Sequence, residues 1–278
     1  MTTDATSAGV SSGQYQGLLE AMSRVAREAG EIALRFFNAG AQTSATVEYK
    51  EGGSPVSEAD LLVDRMLKER LKPLVPAAGW LSEETADISD RREKKLVFIV
   101  DPIDGTRAFI KGDPRWGISL ALIEDARPIL GVLHMPALSE TFAAAKDFGA
   151  SLNGARIGAS QRSSLAGSRF AGPIKAMDGL EQQGYSIRRE PRVPSLAYRL
   201  ARVASGDLDA AVASTNAWDW DIAAAHLLIQ ESGGLLTDLD LQEPAYNGQV
   251  PRHKALTAAA PQLHGELVEA IRKIAATH

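Results

Sequence analysis

An apolar run, Leu96 to Val100, ends directly in Asp101-Pro102-Ile103-Asp104-Gly105-Thr106, and no other stretch of the chain narrows the possible folds as much. The run reads as a buried strand. Two carboxylates then sit three residues apart where that strand stops, and anionic oxygens clustered at a strand end are costly unless a cation answers them. Pro102 holds the backbone in an extended turn, so both acids and the intervening Ile103 carbonyl can converge on one point, a hard-oxygen set suited to Mg²⁺. Gly105 admits close backbone approach to a ligand, and the N–H groups that follow can hold a phosphate oxygen. Taken alone, the stretch also reads as an acidic turn with a solvated face, because Asp-Pro and Asp-Gly pairs favour turns.

Around this strand the pattern alternates without strict βαβ order. Leu18, Met22, Val25, Ala29, Ile32, Ala33 and Phe36 recur at helical spacing from Tyr15, with Gly40 as a stop. Ser57 before Glu58-Ala59-Asp60 predicts a capped second helix through Lys72, ended by Pro73 and Pro76. Asp60 on this reading serves as a capping residue, favoured in the first turn by the helix dipole. Strands are expected over 117–124 and 128–135, joined by a turn around Asp125-Ala126-Arg127, with Thr141 to Ala145 pairing next. The second half predicts strands near 168–171, 208–213, 235–237 and 253–258, and helices near 174–183, 196–205, 222–232 and 262–276. Such a mixture implies layered α+β or mixed α/β packing.

Two further acidic sites keep the Asp101 to Thr106 run company: Leu81-Ser82-Glu83-Glu84-Thr85 upstream, and Trp220-Asp221-Ile222-Ala223-Ala224 at a helix start far downstream. Each alone is ordinary, a solvated acid pair or an N-terminal helix acid. Together and in this order they resemble the inositol monophosphatase family of Mg²⁺-dependent, lithium-sensitive phosphomonoesterases, which includes 3′(2′),5′-bisphosphate nucleotidases and relatives of fructose-1,6-bisphosphatase. The family's acid-Pro-aliphatic-Asp-Gly-Thr signature falls on Asp101 to Thr106, and its Trp-Asp-x-small-small signature on Trp220 to Ala224. Trp218-Asp219 is a decoy for the second. Ser54 to Asp60, Gly117 to Leu122 and Gly149 to Gly154 extend the match, which covers the chain from about residue 15 onward.

The resemblance implies an αβαβα layered sandwich of the inositol monophosphatase and fructose-1,6-bisphosphatase type. An N-terminal half, residues 15–150, would carry most metal ligands, and a C-terminal half, residues 151–278, would carry Asp221, after a disordered tail over 1–14. It implies that Glu83, Asp101 and the Ile103 carbonyl bind one Mg²⁺, and that Asp101, Asp104 and Asp221 bind a second. Gly105 and Thr106 would hold the phosphate, and Glu83, Thr106 and Asp104 would serve catalysis. Asp60 and Glu84 would hold waters or a third Mg²⁺, with Lys50 balancing charge. A homodimer and inhibition by Li⁺ are implied too. The substrate is expected to be a small phosphorylated metabolite: inositol monophosphate or 3′-phosphoadenosine 5′-phosphate, with a sugar bisphosphate third. Gly52, Ser54, Arg107-Ala108-Phe109 and Ser214 depart from the inositol-specific pattern, differences that bear on substrate choice and not on the metal site. Arg188, Arg189 and Arg192 are candidates for a second phosphate, or solvated surface. Some bacterial members also act as partners of the transcription machinery, an alternative role of another class.

Composition is compatible with this. A chain of 278 residues, 45% hydrophobic and 23% charged, is long enough for a large core. A net charge of −5 leaves no basic surplus for tracking nucleic acid. The absence of cysteine excludes disulfides, thiol catalysis and cysteine-ligated zinc. The first 14 residues lack Lys, Arg and an apolar block, and no run is long enough to cross a bilayer, so a cytoplasmic protein is expected. His134 and His226 have no partners suggesting a triad or zinc site and read as structural, and Trp116, Trp218 and Trp220 read as packing residues.

Overall fold

The computed structural model describes residues 12–87 and 90–276. Helix α1 (Ser12–Leu34) is followed by strands β1 (Val47–Tyr49) and β2 (Pro55–Ser57), helix α2 (Glu58–Leu71), and strands β3 (Gly79–Ser82) and β4 (Leu96–Asp104). The short helix α3 (Thr106–Ile110) leads to β5 (Gly117–Glu124), β6 (Arg127–Met135), β7 (Glu140–Ala145), β8 (Gly149–Leu152) and β9 (Ala155–Arg156). Next come β10 (Arg169–Ala171), α4 (Ile174–Gln182), β11 (Arg188–Arg189), α5 (Leu196–Ala204), β12 (Ala210–Ala213) and β13 (Ala217–Trp218). The chain ends with α6 (Asp219–Glu231), β14 (Leu235–Asp238), β15 (Arg252–His253), β16 (Leu256–Ala259) and α7 (Pro261–Ala276).

Strands β3 to β9 form a seven-stranded sheet in chain order, parallel only at β3–β4. A five-stranded sheet has the order β11-β10-β12-β16-β14. The side-chain period of two in β4 shows how these sheets are covered. Leu96, Phe98 and Val100 join a core shared with α1 and α2, while Val97 and Ile99 join a core shared with α5 and α6. A third core lies between the five-stranded sheet and helices α4 and α7. The layers therefore run α1/α2, large sheet, α5/α6, small sheet, α4/α7, the five-layer sandwich expected above. Gly131 of β6 permits the central contact, because a Cβ there would stand 2.8 Å from the Ala224 carbonyl of α6.

Local sequence accounts for most element ends. Ser57 and Asp60 form a reciprocal capping box at the start of α2. Asp125 and Ala126 both take positive φ in the two-residue β5–β6 turn, the geometry a tight hairpin requires. Two observations bear on the expected division. Helix α1 begins at Ser12, inside the stretch expected to be a tail, whose residues 1–11 lie outside the described residues. The large sheet continues past residue 150, with β8 pairing with β7 and β9 pairing with β8, so the edge of β7 is covered.

Candidate metal and phosphate site

Strand β4 supplies two of the acids through a backbone irregularity. Residues three apart on a regular strand point to opposite faces. Here the β4–β5 register shifts between Asp101, opposite Ser119, and Asp104, opposite Gly117. The shift falls at Pro102-Ile103, where proline has no N–H for the ladder, and the bulge re-aims Asp104 toward the side of Asp101. Gly105 follows with φ of 92°, a left-handed conformation that glycine adopts without strain, and starts α3 at Thr106.

The third acid arrives from the other half of the chain. Asp221 lies in the first turn of α6 and accepts the Trp218 N–H at 2.7 Å. Oxygens of Asp101, Asp104 and Asp221 all lie within 4.8 Å of one another. Asp101 is 1% exposed and Asp104 5%, with Asp221 half-buried. Asp101 also accepts the N–H of Ile103 at 3.0 Å. Asp104 accepts the Ser195 hydroxyl and, at 2.8 Å, the Ala197 N–H, both at the start of α5. Among the described residues none of the three forms a salt bridge.

The electrostatics follow from this crowding. Burial, then Glu83, Asp104 and Asp221, push the Asp101 carboxyl well above the usual carboxylate range. Asp221 is raised likewise by burial and then Asp104, against the Trp218 N–H. Burial raises Asp104 to about 6, although the Ser195 hydroxyl and the α5 N–H groups pull it down. Oxygen-only donors, convergent and without a protein cation, fit a hard divalent ion such as Mg²⁺.

The remaining expected residues border this cluster. Lys50 Nζ donates to Glu83 at 3.2 Å and to Glu84 at 2.7 Å, and Glu83, although outside the convergent group of three, is near enough for its charge to raise Asp101. Burial opposes charge on Lys50, but Glu83 and Glu84 outweigh it and raise its pKa. Burial raises Glu84 to about 7 despite that contact. Thr106 Oγ1 lies 3.0 Å from the Ile103 carbonyl and 3.1 Å from Asp60. Asp60 therefore does two things at once: it accepts the Ser57 N–H as a capping residue and reaches Thr106. Burial lifts it to about 6, against hydrogen bonds from Ser57 and Thr106.

Other candidates are placed elsewhere. His134 meets Thr141 Oγ1 at 2.9 Å and His226 meets the Tyr246 hydroxyl at 2.9 Å, away from the acids, as structural residues do. Trp116 packs edge-on against Phe109, and Trp218 stacks on Trp220 with the Arg252 guanidinium 4.0 Å from the Trp218 ring centre. Arg189 is engaged by Asp178 and Glu181, which makes it solvated surface. Sequence reading missed Ser195. A serine before a helix over 196–205 signals an N-cap, and it does accept the Tyr198 N–H, but only the fold brings its hydroxyl to Asp104.

The model of the inositol monophosphatase family matches residues 14–276. The chain is 32% identical over 242 residues to the 3′(2′),5′-bisphosphate nucleotidase CysQ of Aggregatibacter actinomycetemcomitans, covering 83% of this chain and 87% of the relative. It is 32% identical to the Nus factor SuhB of Xylella fastidiosa, covering 78% of this chain and 80% of that protein. The solved IMPase of Thermotoga maritima superposes with a TM-score of 0.81 at 29% identity, covering 93% of this chain and 98% of that one.

Proposed function

The chain belongs to the inositol monophosphatase family, and from that premise we propose that it is a Mg²⁺-dependent phosphomonoesterase acting on a small phosphorylated metabolite. The observation that carries the reading is the convergence of Asp101, Asp104 and Asp221 without a protein cation. In it Glu83, Asp101 and the Ile103 carbonyl hold one ion, and Asp101, Asp104 and Asp221 hold another. Bound there, Mg²⁺ supplies positive charge that acidifies water and offsets the negative charge developing on the phosphoryl group. Thr106 Oγ1, itself held by Asp60, orients the attacking water, and Glu83 accepts its proton. The N–H groups of Gly105 and Thr106 hold the phosphate oxygens. The protein acts as a cytoplasmic homodimer and is inhibited by Li⁺, which competes for the second ion's place.

Phosphate release with Mg²⁺ tests this directly, comparing inositol 1-phosphate, 3′-phosphoadenosine 5′-phosphate and fructose 1,6-bisphosphate, with Asp104→Asn as control. Turnover that vanishes in the control is expected. Turnover that survives Asp104→Asn, or depends on no divalent ion, overturns the assignment. A second reading, a binding role with the transcription machinery, draws support from the similarity to proteins named Nus factor SuhB. Complementation separates the two: a cellular role kept by Asp104→Asn belongs to binding, and one lost with it belongs to catalysis.

A further inference from the structure

Strand β3 ends at Ser82, which pairs with Val100 of β4, and the Glu83 N–H still reaches the Val100 carbonyl at 3.3 Å. Residues 83–87 then leave the sheet without regular structure, so the ladder does not hold the Glu83-Glu84 pair in place. A buried carboxylate does. Asp64, 8% exposed, accepts the Ser82 hydroxyl on one oxygen at 2.5 Å and the Thr85 hydroxyl on the other at 2.6 Å. These bonds have the short length of charge-assisted ones, and they bracket the two glutamates along the chain. Ser82 Oγ in turn accepts the Glu84 N–H at 3.4 Å. Asp64 stands one helical turn after Asp60 on α2, so the two acids share a face. The helix that carries them is anchored by Val63, Leu67 and Leu71, all fully buried. Lys50 thus holds the carboxylates of the glutamate pair, and Asp64 holds the chain from which they project.

We propose that Asp64 is a positioning residue for Glu83: by holding Ser82 and Thr85 it fixes the segment from which Glu83 meets the ion shared with Asp101. The inference rests on the metal-dependent phosphatase reading above. Two hydroxyls on two oxygens of one carboxylate set both the place and the twist of the segment, whereas a single anchor leaves a pivot. An amide at this position has one acceptor oxygen, so it keeps one hydroxyl and turns its NH₂ toward the other. Freed at one end, the segment samples more poses. The fraction of molecules with Glu83 in the ligating pose falls, and apparent affinity for Mg²⁺ falls by the same factor.

The experiment follows Tm against Mg²⁺ concentration, without substrate, for the wild type, Asp64→Asn, Thr85→Val and Thr85→Ser, each alone and combined with Glu83→Gln. A cooperative melt in chelator shows that a variant folds. Asp64→Asn raises the apparent Kd for Mg²⁺ by about tenfold, the lower end of the range for groups that orient metal ligands, and Thr85→Val raises it by about threefold. Thr85→Ser keeps the hydroxyl and binds as the wild type does. In the Glu83→Gln background the same changes leave the Kd within about twofold, because the residue they act through is gone. Thr85 is only half-buried, so Thr85→Val decides the outcome should Asp64→Asn fail to melt cooperatively. An unchanged Kd in Thr85→Val, an equal loss in Thr85→Ser, or a loss undiminished in the Glu83→Gln background overturns the proposal and leaves the phosphatase reading intact. A wild type whose Tm is indifferent to Mg²⁺ also overturns the proposal, and if its phosphate release needs no divalent ion, the phosphatase reading falls with it.

Discussion

Asp219 and Asp221 lie two residues apart in the first turn of α6, yet one is held by the protein and the other is left facing its own kind. Residues at i and i+2 of a helix do not share a face. Asp219 turns toward the 247–253 segment, where it accepts His253 Nε2 at 2.7 Å and the Asn247 N–H at 2.8 Å. Asp221 turns toward the end of β4, where its strongest charged neighbour is Asp104, and it accepts the Trp218 N–H. Asp219 has a donor on each of its two oxygens, whereas Asp221 is crowded by other carboxylates, a repulsion that a cation relieves. The same contrast separates His226, hydrogen-bonded to Tyr246, from the acid cluster on the far side of that helix.

The largest expected effect is on catalysis. Asp221→Asn lowers Mg²⁺-dependent phosphate release by more than about a hundredfold, since even residues that only orient metal ligands contribute tenfold to a hundredfold. Asp219→Asn leaves the turnover per folded molecule within a few-fold of wild type. If the two variants lose activity alike, the contrast between them fails.

Stability without metal reverses the ranking. Asp219→Ala strands the His253 and Asn247 donors and costs about 2–4 kcal/mol, read from denaturant midpoints in chelator. Asp221→Asn removes repulsion from the cluster and raises the midpoint under the same conditions. A lower midpoint for Asp221→Asn would show that the acids are already compensated from within.

Next in size, Ser195→Ala frees one oxygen of Asp104 and lowers kcat/KM about tenfold, with Ser195→Thr recovering most of it. The response to pH sharpens the comparison further. Asp60 and Asp104 stand at about 6 and Glu84 at about 7, above the ordinary carboxylate values, so these three sites hold more protons in the folded chain than in the unfolded one between about pH 4 and 7. Their contribution to stability is fully present below about pH 4 and is lost as pH rises through 6 to 7. Mg²⁺ binds the deprotonated acids, so its upward shift of Tm grows from pH 5 to pH 8. A shift of constant size across that range would contradict carboxylate ligation. The smallest effect is Tyr246→Phe, which removes the hydroxyl partner of His226 and costs about 1 kcal/mol with activity unchanged.

Most of the layers were legible because hydrophobic period is local. The unbroken apolar run Leu96 to Val100 marks a strand buried on both faces, and the helical spacing after Tyr15 specifies one face, before any partner is known. The capping role of Asp60 was legible for the same reason, and its contact with Thr106, 46 residues away, was not. Ser195 escaped notice because a serine before a helix is an everyday residue until packing sets what it faces. The bulge at Pro102-Ile103 was half legible: proline forbids the ladder bond, but the register of β5 decides how the chain makes up the lost pairing.

The chain's own residues determined where strands and helices form and which acids could serve a hard cation, because short-range sterics and periodicity act within a few residues. The family signature singled out Asp221 over Asp219, but only the tertiary structure brings Asp221 to Asp101 and Asp104. That outcome depends on seating α6 against the large sheet at Gly131, a contact between residues far apart in the chain, and on the packing that sets which side of the helix turns toward the strand end.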